Sequence, residues 1–197
     1  MKKRTVLAAA ICVSFMVGAC RSEPQAGPPS PVAMTDEALG HYCQMALSEH
    51  PGPKAQVHLE GLEAPLFFSQ VRDAIAYQRM PEQSHRILAI YVSDMGKAKS
   101  WDEPGRTNWA PAKQVAYVVG SEVTGGMGAP ELIPFSDRKA AEAFASANGG
   151  QVSALSEIPD SAVLSPVEIS LSDTRDEVQE TSALRQHDDT RQTRGKD

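Results

Sequence analysis

The sequence predicts an α+β protein made of two tandem strand-strand-helix-strand units that form small, mostly antiparallel sheets, with a disordered C-terminal tail. Three observations lead there. Phe68-Ser69-x4-Ala74-x-Ala76-Tyr77 matches Phe135-Ser136-x4-Ala141-x-Ala143-Phe144 at an offset of 67 residues, and similarity at a fixed spacing is the mark of a repeated unit. Strand-like apolar runs lie on both sides of each copy, at 55–59 and 86–92 around the first and at 114–119 and 151–155 around the second. Beyond Leu171 apolar residues thin out among Asp, Arg, Gln, Thr and Ser, too few to offset the entropy of ordering a chain.

Taken in order, residues 1–19 read as an export signal. Lys2, Lys3 and Arg4 form a basic start, Val6 to Val17 an apolar run, and Val17-Gly18-Ala19 a small-residue cleavage site. The apolar run is too short for a membrane-spanning helix. Cys20 follows the cleavage site directly, the position at which a bacterial lipoprotein carries its acyl group. Residues 20–34, with Pro24, Pro28, Pro29 and Pro31, are expected to form a lipid-to-domain tether. Removal of the signal leaves 16 basic against 25 acidic residues, a balance that argues against nucleic acid and against a basic membrane contact.

Residues 35–160 are the expected globular domain, in halves of about 35–95 and 96–160, and 161–197 the tail. Ser69 and Ser136 are the expected N-caps of the two helices. Asn148-Gly149-Gly150 ends the second, and Pro81 limits the first.

The chemistry concentrates in His41-Tyr42-Cys43-Gln44-Met45. In an extended segment, alternate side chains share a face, which would line up the imidazole of His41, the thiol of Cys43 and the thioether of Met45. Thiolate and thioether sulfurs select Cu(I) over hard ions. With Cys12 lost in the signal and Cys20 acylated, Cys43 is a lone thiol in an oxidising compartment. Such a thiol is reactive, metal-bound or paired with another chain. Thr124-Gly125-Gly126-Met127-Gly128-Ala129-Pro130-Glu131 sets a methionine in a glycine-rich loop whose backbone is free to take positive φ. Met127 either plugs a gap in the core or supplies a third soft donor. His50, in Glu-His-Pro-Gly-Pro, is a further candidate donor beside His41.

Cys43-x-Met45, His50-Pro51-Gly52-Pro53-Lys54-Ala55-Gln56-Val57, Tyr91-Val92-Ser93-Asp94-Met95-Gly96, Trp101, Trp109 and Gly125-Gly126-Met127-Gly128-Ala129-Pro130 together resemble the NosL family, over roughly residues 17–160. That family comprises lipoprotein accessory factors for maturation of nitrous oxide reductase. The resemblance implies a periplasmic Cu(I) chaperone, lipid-anchored to the membrane, expected to be the outer one. It would hand copper to the reductase through a membrane assembly complex with an ABC-type transporter, with a copper-bridged homodimer as one form. It also implies a fold similar to one domain of organomercury lyase, with Cys43, Met45 and Met127 as copper ligands and His41 or His50 as further donors.

Two other readings of the lone thiol compete. Cys43 flanked by His41 and His50 could be a nucleophile, although Met45 has no use in acyl transfer. Alternatively, Cys43 could tie a structural lipoprotein to another chain by a disulfide.

Overall fold

A computed structural model describes residues 27–167, so the export signal, Cys20 and most of the tail lie outside the described residues. The first sheet is built from β1 (Ala55–Leu59), β2 (Leu66–Phe68), β3 (Ile87–Ser93) and β4 (Trp109–Pro111), in the order β2-β1-β3-β4. The second comprises β5 (Ala116–Thr124), β6 (Pro130–Phe135) and β7 (Gln151–Ala154), in the order β6-β5-β7. All pairings between these strands are antiparallel. Helix α1 (Val71–Arg79) follows β2, α2 (Arg138–Asn148) follows β6, and α3 (Ser161–Leu164) closes the described chain.

The repeat is physical. In each unit the first strand is central, the second pairs with one edge and the third returns to the other after the helix. Registers match as well: Ala55 opposes Phe68 and Val92 in the first unit, and Ala116 opposes Phe135 and Ala154 in the second. Helices begin at Val71 and Arg138, again 67 residues apart.

The units are stacked into one body rather than set side by side. Val71, Ala74 and Ile75 of α1 are fully buried, at the i, i+3, i+4 spacing of an inward stripe. They join Ala55, Val57, Phe68 and Val92 of the first sheet to Tyr117 and Leu132 of the second in one core. Alternation along β5 and β6 then sends Val118, Ile133 and Phe135 to the opposite face, against Ala141, Phe144 and Val152. The layers run first sheet, α1, second sheet, α2. The small side chains of Ala74 and Ala76 let α1 fit between two sheets.

Four expectations need correction. The division at 95/96 leaves β4 on the wrong side, since it pairs with β3 and extends the first sheet. The serines are not the N-caps: Gln70 and Asp137 hold those positions, and only Asp137 accepts a hydrogen bond there, from the Lys139 N–H. The tail does not begin at Ser161, because α3 packs Val163 into the core and the Arg72 guanidinium donates to the carbonyls of Ala162 and Ser165. Within 20–34, the last residues are docked rather than free. Gln56 exchanges two hydrogen bonds with the Val32 backbone, the Tyr91 hydroxyl donates to the Pro29 carbonyl, and Met34 is buried against Leu47 and Trp109.

A candidate soft-metal site at the first β-to-helix corner

The segment bearing Cys43 is a turn, not an extended strand. The N–H of Gln44 donates to the Gly40 carbonyl at 2.9 Å, the Gly40 N–H to Met45 at 3.0 Å, and Leu39 and Ala46 close the loop as an isolated antiparallel bridge. Gln44 takes a φ of +55°, the left-handed value that ends a single helical turn. The loop is pinned to β2 by the His41 N–H on the Phe67 carbonyl. Residues two apart therefore no longer share a face, and the expected row fans out.

His41 goes to one side, its ring among those of Tyr42, Phe68 and Tyr77 at centroid separations of 5.3–5.6 Å. Cys43 turns back over the start of its own loop: its sulfur packs against Gly40, where a Cβ would overlap it, and lies 3.6 Å from the Ser69 hydroxyl. Met45 points outward and is 40% exposed. Its carbonyl accepts from the Gly40 N–H, so its backbone stays in the same turn as Cys43.

The glycine loop is seated rather than loose. Of Gly125, Gly126 and Gly128, only Gly128 has a positive φ; the other two are glycines because something lies against them. A Cβ on Gly126 would sit 2.6 Å from the Pro51 carbonyl oxygen and 2.8 Å from the Cβ of His50, and one on Gly125 would meet the Gln70 amide and Oε2 of Glu131. His50 Nδ1 is bonded to the Gly126 carbonyl at 3.2 Å, while Nε2 is buried with no partner among the described residues. Pinned in this way, the loop presents Met127 at 40% exposure.

Ser69 and Gln70, consecutive residues at the β2–α1 corner, join the two sulfur-bearing segments: Ser69 touches Cys43, and Gln70 donates to the Ala129 carbonyl at 3.4 Å. The Cys43 turn and the Met127 loop are thus tied to consecutive residues of one corner, His50 is bonded to the Met127 loop, and His41 is held aside by its aromatic neighbours. The Trp101 carbonyl accepts from Gly52 and its ring packs on that glycine, while Trp109 lies against Phe67, so both tryptophans anchor loops.

Beneath the corner lie charges that sequence reasoning missed. Lys54 is 1% exposed, its ammonium capped by the carbonyls of Pro51 and Gly52; burial lowers its pKa to about 8, with nearby Glu131 pulling the other way. Burial likewise pushes the Glu131 carboxyl up to about 8, against the pull of the Arg72 and Leu132 N–H groups. The available signals were a lysine leading a strand-like run and a lone acid between Pro130 and Leu132.

The polar neighbour of the Cys43 thiol is the Ser69 hydroxyl, and no imidazole among the described residues is bonded to it. Among the described residues, Cys43 is free and no group of three or more His, Cys, Asp and Glu is gathered to hold a metal. A metal bound here would have to draw on methionine sulfur. Fold and corner together define a duplicated α+β protein that carries a partly buried thiol and two half-exposed thioethers, donors of the soft-metal type.

Comparison with known proteins gives the family. The NosL profile matches residues 31–163. The copper-binding lipoprotein NosL of Achromobacter cycloclastes is 60% identical over 166 residues, covering 84% of each chain, and that of Stutzerimonas stutzeri is 34% identical over 135 residues, covering 68% of each. The crystal structure of the copper chaperone NosL from Shewanella denitrificans superposes with a TM-score of 0.62 at 33% identity, covering 66% of this chain and 97% of that one. The chain belongs to the NosL family.

Proposed function

We propose that this chain is a copper chaperone that binds Cu(I) through Cys43, Met45 and Met127 and passes it on for the maturation of nitrous oxide reductase. What carries the reading is the meeting of the Cys43 turn and the Met127 loop at Ser69-Gln70, with both methionines half exposed. Binding forms a Cys43 sulfur–copper bond and releases the thiol proton to solvent. Thioethers need no deprotonation, and their softness favours the monovalent ion. An exposed, three-sulfur site leaves the ion open to an incoming ligand, so copper moves to an acceptor by ligand exchange without ever being free. His41 and His50 support the site from outside this donor set.

In this reading Cys20 carries the lipid, the folded domain, with its docked lead-in and α3, works in the periplasm at the outer membrane, and the acceptors are the reductase and its ABC-type assembly complex. A copper-bridged homodimer is one form open to the loaded protein. The test is Cu(I) titration of the mature domain against a competing chelator. Cys43→Ala should lose at least about tenfold in affinity and Met127→Ala a measurable part of that; wild-type affinity in Cys43→Ala ends the proposal.

A further inference from the structure

We propose that Gln70 and Glu131 are positioning residues for copper loading: together they seat the Met127 loop against the Cys43 turn, so that the third sulfur is in place before the ion arrives. The inference rests on the reading of Met127 as a donor. The start of α1 shows the arrangement. Gln70 occupies the N-cap position yet makes no cap with its side chain. At 1% exposure, its amide runs instead to the Ala129 carbonyl, 59 residues away, and lies against Gly125. The cap comes from the other unit. Glu131 Oε1 accepts from the N–H of Arg72 at 2.9 Å and from its neighbour Leu132 at 2.8 Å, while Oε2 is buried against Gly125 with no partner among the described residues.

A helix start is ordinarily capped by its own flanking residue, as Asp137 does for α2. Spending a buried carboxylate from β6 on α1 fixes where β6, and the loop leading into it, stands relative to Ser69-Gln70. Ser69 meets Cys43 on the other side of the same corner. Two adjacent backbone positions therefore set the gap between the thiol and the thioether. Donors held at the right separation need no ordering when the ion binds, and this pre-organisation appears directly as affinity.

The test compares Cu(I) affinity, by chelator competition, in wild type, Gln70→Leu, Glu131→Leu, Met127→Ala and the double variant Gln70→Leu/Met127→Ala, with thermal melts alongside. Leucine keeps most of the buried volume and removes the Gln70 amide or the Glu131 acceptor on the Arg72 N–H. Gln70→Leu should lose about tenfold in affinity, the range for residues that orient metal ligands, and should lose nothing further once Met127 is gone. Glu131→Leu should lose affinity to a similar extent, and wild-type affinity in a folded Glu131→Leu overturns its share of the positioning. Wild-type affinity in Gln70→Leu, or the same tenfold loss with and without Met127, overturns the positioning role. Unchanged affinity in Met127→Ala alone instead overturns the donor reading. Should Gln70→Leu fail to fold, Gly125→Ala pushes the loop from its own side and carries the same expectations.

Discussion

Glu131→Gln should flatten part of the pH dependence of stability. The Glu131 side chain is 3% exposed, and burial raises its carboxyl from an ordinary 4.5 to about 8. Between these values the unfolded chain releases a proton that the folded chain keeps, so the group's contribution is complete below about pH 4.5 and lost as pH rises through about 8. At about 1.4 kcal/mol per pH unit for one proton, the interval amounts to on the order of 3–5 kcal/mol. Glutamine retains the acceptor that caps α1 and cannot titrate. Urea unfolding of both proteins at pH 5, 6.5 and 8 should show the wild type losing stability relative to the variant by a few kcal/mol across the range. His58, whose pKa burial lowers, acts in the opposite sense toward acid but is common to both proteins and cancels. Lys54, lowered to about 8, adds stability only above that pH. Parallel curves from pH 5 to 8 would refute the argument that this carboxyl is buried without an adequate partner.

Other perturbations have equally direct readouts. Gly126→Ala drives a methyl group into the Pro51 carbonyl and the His50 Cβ, neither a flexible side-chain end. It should cost about 1–3 kcal/mol in a denaturant melt and weaken Cu(I) binding by lifting the loop. His41→Ala removes a ring packed on three aromatic neighbours; about 1–2 kcal/mol of stability should go with Cu(I) affinity kept within a few-fold, so a tenfold loss in affinity would reinstate His41 as a ligand. Ile75→Ala opens a cavity between the two sheets, where the side chain is fully buried, and should cost about 2–5 kcal/mol in the same melt. Truncation of Arg79 to Ala strips the carbonyls of Leu155 and Ile158 of their donor and should cost about 1–3 kcal/mol.

The layout of the fold was legible because Phe68 and Phe135 introduce similar helices, and apolar runs surrounded both. What the pattern could not supply was stacking: alternation at 116–119 is consistent with one covered face or two, and only the placement of α1 decides. For the candidate site, residue type could name possible donors but not their arrangement. Cys43 and Met45 stand two apart in sequence, which suggested a strand, but Gly40 and a left-handed Gln44 bend the segment into a turn, and no periodicity reveals that. Gly125 and Gly126 read as flexible, when packing against Gln70, Glu131, His50 and Pro51 is what requires them. Ser69 looked like a cap because serine before a helix usually is one; here the hydroxyl turns to the thiol and the cap arrives from a residue 59 positions away from the N–H that it serves.

The capping of α1 by Glu131 has a counterpart. Asp94, at the end of β3, accepts from the Ser136 N–H just ahead of α2. Each unit thus satisfies a backbone N–H at the other's strand-to-helix corner, so neither unit is self-contained. A polypeptide cut at residue 95 would yield two fragments that each present an acid to an absent amide, and folding would have to await their reunion.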